Sequence, residues 1–305
     1  DINEGGGLFV KEFNKKIPLE LITIDHQSLE AKAISAMETL HEKNVVAVTG
    51  DTVVDSCPAV SEKYRVPTIS LSANVGAFRV GSKYWFAGTA LGDRIAKGIF
   101  DFIDSVPDHP SKLGIPHGLG EWESTMGDFF KKEAAARNYT VVASDRFPRM
   151  NKDFSTILLK MKQSGAEGIV SCMIAPDGIT LMKQMKELDY NVKLIFLMTA
   201  PAEHVWAKAL GKDGNYVCWL NSWHSSLNFP GVERLNKKFE AEFGRKCDPM
   251  TGAGYAAIEI IAGAVGKAGS LDRTKIRDTL STAEITTTIS VPVKYNPDGS
   301  QVNPC

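Results

Sequence analysis

The sequence predicts an α/β fold of two lobes, and three observations predict it. Short apolar runs alternate with amphipathic stretches along most of the 305 residues. The strand-helix-strand unit recurs about every 25–30 residues, the spacing of right-handed βαβ units on parallel sheets. Two polar linkers, at 105–111 and 221–229, interrupt the pattern. Taken in order, the runs at 19–25, 45–49, 68–71, 84–87, 113–115, 141–143, 168–174, 193–199 and 216–221 read as buried strands. Between them, Leu29, Ala33, Ala36, Met37 and Leu40 recur at helical spacing. So do Phe129, Phe130 and Ala134, then Ile157, Leu158 and Met161, then Ile179, Met182, Met185 and Leu188. Past the second linker the long helices 232–243 and 254–268 follow each other with no strand between. If the chain leaves a lobe at the first linker and returns at the second, lobe 1 is 1–107 with 225–283 and lobe 2 is 108–224 with 284–305. That topology is expected to place ligands between lobes.

Composition excludes several classes. With 35 basic against 36 acidic side chains the formal net charge is −1. Nucleic-acid binding by phosphate neutralisation and a polybasic membrane anchor both need clustered Lys and Arg, which are absent. No run of 18 or more apolar residues predicts a transmembrane helix. The opening Asp1-Ile2-Asn3-Glu4-Gly5-Gly6-Gly7 reads as a helix end running into a glycine turn, not as a signal peptide. Five cysteines, Cys57, Cys172, Cys218, Cys247 and Cys305, show no CxxC and no Cys/His zinc spacing. Cys172 and Cys218 sit in apolar runs and read as core residues.

Catalytic and cofactor signals are negative. Gly252-Ala253-Gly254-Tyr255-Ala256-Ala257 matches a relaxed dinucleotide fingerprint but has no strand before it, so close helix packing explains it better. There is no P-loop and no GxSxG elbow. The six histidines are scattered, so no metal site is expected. His26 beside Asp25 reads as a polar strand terminus, and Glu121 and Glu123 around Trp122 as acidic residues favouring a helix N-terminus. With no nucleophile and base set, an enzyme is not expected, and no cofactor is called for.

An ordered series of segments carries a resemblance. Asp1–Gly7, the run at 19–25 and Ala31-Lys32-Ala33 open it. Val45-Val46-Ala47-Val48-Thr49-Gly50, Val66-Pro67-Thr68-Ile69-Ser70-Leu71-Ser72-Ala73, and Tyr84-Trp85-Phe86 with Thr89 follow. Asp153-Phe154-Ser155 with Leu158, Lys160 and Gly165-Ala166, then Lys294-Tyr295-Asn296-Pro297-Asp298-Gly299-Ser300-Gln301-Val302, complete it. In this order they resemble the leucine/isoleucine/valine-type solute-binding proteins of bacterial ABC transporters. The resemblance implies the periplasmic-binding-protein type I fold, each lobe a mainly parallel sheet flanked by helices. It implies a protein that captures a small carboxylate, an amino acid or an aromatic or aliphatic acid, for an ABC transporter permease in the periplasm or at the cell surface. The same fold also serves as the ligand-sensing domain of receptors and regulators, which is the alternative. Against the family pattern both chain ends are expected to be truncated, with a first strand and its helix missing before Asp1.

The resemblance also implies a site. The loop after the strand ending at Ser70 would hold the ligand carboxylate with backbone N–H groups and a hydroxyl, here Ser72, Ala73 and Asn74, with Asn74 where a threonine is usual. The loop Gly50-Asp51-Thr52 is shorter than the family pattern and lacks its serine pair, which leaves Thr52 as substitute. Trp122 falls where an aromatic residue stacks over the ligand, Ala175 near a family tyrosine, and Ala200 near the acid that pairs with an amino group. A desolvated ammonium without a carboxylate is costly, so Asp177 or Glu203 would have to take that role for an amino acid. Trp223, in a polar crossing, is expected to face the ligand, and Trp122, Trp219 and Trp223 could wall an aromatic or larger apolar carboxylate. For Trp85 and Trp206 packing is expected.

Overall fold

The alternation of apolar and amphipathic segments becomes a series of β/α units in the computed structural model, which describes residues 1–27, 29–50, 56–72, 74–203, 205–220 and 223–302. The chain forms two units: unit 1 is Asp1–Leu91 with Ser222–Cys305, and unit 2 is Gly92–Asn221.

Unit 1 opens with the antiparallel hairpin β1 (Leu8–Val10) and β2 (Lys15–Ile17), in which Val10 pairs Lys15 and packs into the core. Then come α1 (Glu30–Glu42), β3 (Val48–Gly50), α2 (Cys57–Tyr64), β4 (Thr68–Ser70), α3 (Val75–Arg79) and β5 (Trp85–Ala87). The three strands form a parallel sheet in the order β3-β4-β5, with Val48 opposite Thr68 and Thr68 opposite Trp85.

Unit 2 runs α4 (Gly92–Ser105), β6 (Lys112–Gly114), β7 (His117–Gly118), α5 (Glu121–Ala136), β8 (Thr140–Ala143), β9 (Arg146–Phe147), α6 (Ser155–Gln163), β10 (Gly168–Met173), α7 (Ala175–Glu187), β11 (Leu194–Thr199) and α8 (Val205–Leu210). Its main sheet is parallel in the order β11-β10-β6-β8, and β7 and β9 form a short parallel pair. All six residues of β10 are buried, as expected of a central parallel strand covered on both faces. Its core gathers Phe147, Phe154, Leu158, Met161 and Ile169.

Back in unit 1, α9 (Val232–Phe243), α10 (Pro249–Ala268) and α11 (Arg273–Thr282) follow one another, as the pattern after the second linker predicts. Asp248 caps α10 by accepting from the Thr251 N–H at 2.9 Å, Pro249 takes the first turn, and Gly269 ends the helix in the left-handed region. Ile260, Ala264 and Val265 of α10 pack with Val10, Ile69 and Phe86.

The observed units differ from the expected lobes in two long stretches, 92–107 and 284–305, and in the three residues 222–224, which fall in unit 1. α4 lies in unit 2, because its apolar face packs on α5: Phe100 meets Phe130 and Tyr139, and Arg137 pairs with Asp101 and Asp104. Residues 284–302 lie in unit 1, where Ala87 N–H donates to Gly299 O at 2.8 Å and Gln301 Nε2 donates to Ala87 O at 3.0 Å along β5. Gly299 (φ +83°) is required there, since a Cβ would fall 2.1 Å from Trp85 O.

Two expected strands do not form. The segment 19–25 joins no ladder among the described residues. In 216–220 a single bridge joins Cys218 to Phe196, and Tyr216 stands 98% exposed with φ +62°. The hairpin of β1 and β2 escapes a strand search because its strands are three residues long and polar on one side. Cys172 is buried and Cys218 half-buried, both free thiols, and burial pushes the Cys172 thiol up and out of reach of thiolate chemistry. Cys305 lies outside the described residues.

Candidate functional site

In unit 1 the end of β4 turns through a chain of short side-chain to backbone bonds. Ser70 Oγ accepts from Ser72 N–H at 3.2 Å, Ser72 Oγ from Asn74 N–H at 3.3 Å, and Asn74 Oδ1 from Gly76 N–H at 3.0 Å. This is the expected loop, and Asn74 is the N-cap of α3. Ser72 is half-buried. Thr52 and Ala73, expected in the same site, lie outside the described residues.

In unit 2 the corresponding feature is the first turn of α5. Gly120 is its N-cap, and Glu121, Trp122 and Glu123 fill the first turn. Trp122 is half-buried, its ring edge against Gly92 at the start of α4. Glu123 points inward and is 2% exposed. It accepts from Arg149 Nε at 2.7 Å and from Arg149 Nη2 at 3.0 Å, a bidentate pair. Glycine is needed at position 120, because a Cβ there would lie 2.0 Å from Glu123 Oε2. Asp177, on the first turn of α7, is 1% exposed and accepts from Asn151 N–H at 2.7 Å. Burial holds its carboxyl above the usual carboxylate range, and the nearby Glu123 charge adds to the shift. His117 on β7 is buried beside Gly127, and loss of solvent holds its imidazole below the ordinary value.

The remaining predicted residues are placed as follows. Ala175 opens α7 fully buried, and its N–H reaches Glu203 Oε1 at 3.4 Å. Ala200 is fully buried in a short 3₁₀ turn, in the core around Leu197 and Trp206. Trp223 was expected to face a ligand, but it is 3% exposed: its Nε1–H donates to Ile289 O at 3.1 Å, and its ring covers Gly252 among Val232, Leu235 and Cys247. A polar linker hid this, since the residues that bury the indole come from α9, α10 and the 285–293 turn. Trp85 and Trp206 are buried, as expected of packing residues.

The structure therefore groups Trp122 and Asp177 with two residues that sequence reasoning did not assign to a site, Arg149 and the inward-facing Glu123. The acidic pair flanking Trp122 was visible in the sequence, but the partner 26 residues away was not. Unit 1 also contains an apolar cavity of about 1230 Å³, bounded by 19–26, α1, β3 and α10, and none of the seven predicted residues that lie among the described residues lines it. Among the described residues no group of three His, Cys, Asp or Glu side chains could hold a metal, and no helix is long and apolar enough to cross a membrane.

The chain is 24% identical over 161 residues to the Leu/Ile/Val-binding protein homolog 3 of Brucella melitensis, a match that covers 53% of this chain and 43% of that relative's length. The leucine-binding protein LivK of Thermotoga maritima superposes with a TM-score of 0.81 at 16% identity, covering 93% of this chain and 82% of that one. LivJ of Streptococcus pneumoniae, solved in complex with isoleucine, superposes with a TM-score of 0.81 at 18% identity, covering 98% and 84%. These likenesses establish the shared fold, parallel sheets flanked by helices. The family model described as periplasmic binding protein matches residues 1–305, and this chain belongs to that family, whose members bind solutes and are not enzymes.

Proposed function

We propose that the chain is the extracytoplasmic capture component of an ABC importer, and that its solute is a small carboxylate. An aromatic or aliphatic acid is favoured over an amino acid. The observation that carries this preference is the commitment of the buried acids of unit 2. Asp177 accepts a backbone N–H and Glu123 is held by Arg149, while Ala175 and Ala200 present only buried methyl groups. An ammonium stripped of water needs a carboxylate partner. Glu203, exposed beside the start of α7, is the one acid of those considered that remains for it. A carboxylate alone makes no such demand. Ser72, whose oxygen accepts from Asn74 N–H, keeps its hydroxyl proton to donate to a ligand oxygen. Trp122 supplies an apolar face on unit 2.

A thermal-shift screen tests this, because a solute that binds only the native state raises the unfolding midpoint. Aromatic and aliphatic acids are expected to raise it, and leucine, isoleucine and valine to leave it in place. Stabilisation by the amino acids alone would overturn the preference, and loss of that response in Glu203→Gln would identify the ammonium partner. Delivery to a permease is tested by uptake of the stabilising acid in cells carrying the cognate permease with and without this protein.

A further inference from the structure

Glu123 and Arg149 form a pair whose two halves have different surroundings. The carboxylate is buried, while the Arg149 side chain is 53% exposed. Glu123 accepts from Nε–H at 2.7 Å and from Nη2–H at 3.0 Å, which occupies one edge of the planar guanidinium. A guanidinium carries five N–H groups, so the edge made by Nη1 and the second Nη2 proton is left over. Among the described residues that edge donates to nothing in the chain.

The turn before α5 is shaped around this pair. A Cβ at Gly120 would fall 2.0 Å from Glu123 Oε2 and 2.9 Å from Arg149 Nε, and one at Gly118 would fall 3.2 Å from Glu123 Cβ. As a staple the arrangement is a poor one. Taking a carboxylate out of water costs several kcal/mol, whereas an ion pair with an exposed partner returns about 0–1 kcal/mol. What the pair does achieve is orientation, because a long side chain is fixed by its inner edge and the outer edge stays accessible. Its place in the fold is also informative. Leu119 N–H donates to Phe147 O at 2.8 Å and extends the pairing of β7 with β9. Trp122 and Arg149 therefore follow the carboxyl ends of two neighbouring parallel strands, the end at which open α/β sheets bind ligands.

The charge pattern selects the group that fits. Two N–H donors side by side on a fork match the two oxygens of a carboxylate. A carboxylate on the outer edge meets the guanidinium first, with Glu123 behind it on the inner edge, so attraction outweighs repulsion. An ammonium on the same edge would meet a like charge. Asp177, the other buried acid here, already accepts from Asn151 N–H, and burial favours its neutral form, so it opposes an incoming anion little.

We propose that Arg149 is a specificity-determining residue: its outer edge takes a second carboxylate of the solute, which makes the preferred solute a dicarboxylic acid. This rests on the carboxylate reading above and adds the second group to it.

The test is titration calorimetry of the 305-residue chain with matched acids, hexanoate against adipate and benzoate against terephthalate. In at least one pair the diacid is expected to bind at least tenfold more tightly than its monoacid. Removing Arg149 alone would strand a buried carboxylate, so both partners are changed together in Glu123→Gln/Arg149→Gln. That variant is expected to bind the monoacid within twofold of the parent and to lose the advantage of the diacid. Arg149→Lys keeps the charge opposite Glu123 and loses the fork, and it is expected to cut the advantage to threefold or less. It decides the matter if the double variant does not fold. A monoacid that binds while its diacid binds no better overturns this proposal and leaves the carboxylate reading standing. A diacid advantage that persists undiminished in either variant does the same. Failure of all four acids to bind overturns both.

Discussion

The two units are built on the same plan and differ in how completely each sheet is enclosed. In unit 2 the central strands β6 and β10 each have a neighbour on both sides, and the aromatic pair Phe147 and Phe154 packs edge to face beneath them with ring centroids 4.8 Å apart. In unit 1 the strand in the equivalent sequential position, β3, has a ladder on one side and an apolar cavity on the other, and Leu21 across it is 73% exposed. Burial energy comes from area removed from water and from close packing, so the same residue types stabilise less along the cavity of unit 1 than in the core of unit 2. The difference teaches that a strand pattern in the sequence reports a surface that can be buried. Whether it is buried depends on what lies beside it.

The largest expected effect breaks or confirms this contrast directly. Phe154→Ala in unit 2 removes a fully buried ring and is expected to cost about 3–5 kcal/mol in chemical denaturation. Met37→Ala lines the cavity, where part of the lost contact is already missing, and is expected to cost less than about 2 kcal/mol. Equal costs would show that α1 is packed as tightly as the core of unit 2. Next, the two tryptophans sharpen the comparison. Trp223→Ala, in the core of unit 1, is expected to cost about 3 kcal/mol and to change solute affinity only through folding. Trp122→Ala is expected to cost under about 1 kcal/mol of stability, yet to weaken the best solute about tenfold, which is about 1.4 kcal/mol. Unchanged affinity in a folded Trp122→Ala protein would remove it from the site.

Much of the fold was legible because its signals are local. The apolar runs at 45–49, 68–71, 84–87, 168–174 and 193–199 became β3, β4, β5, β10 and β11, and helix 232–243 was placed to the residue. The run at 19–25 failed because period two requires a partner strand, and the partner is not a property of the run itself. The site was less legible. Ser72, Asn74 and the first turn of α5 follow from turn and capping chemistry, which a few neighbouring residues specify. The surroundings of Trp223 and Asp177 were not legible for one reason: they arrive from distant sequence. Ile289 O, 66 residues on, accepts from the indole N–H, and Asn151 N–H, 26 residues back, donates to the carboxylate.

The smallest expected effect concerns Asp177 and the proton it prefers to keep. Its carboxyl titrates above the ordinary value near 3.9 because burial disfavours the charge. The folded state therefore binds the proton more tightly than the unfolded state. As pH rises through the window from the ordinary value to the raised one, the unfolded chain releases its proton first and stability falls; below that window the penalty is absent. Asp177→Asn keeps an oxygen for the Asn151 N–H and removes the charge. The variant is expected to be more stable than the parent at pH 7 and equal to it near pH 3, as read from paired denaturation curves across that range. A constant difference over the whole range would show that the charge itself costs nothing. Solute affinity at pH 7 is expected to survive the substitution, because a carboxylate already held by a backbone N–H and disfavoured as an anion is poorly suited to pair with a ligand ammonium. Abolition of amino-acid binding by Asp177→Asn would instead make this buried acid the ammonium partner and reverse the preference for a simple carboxylate.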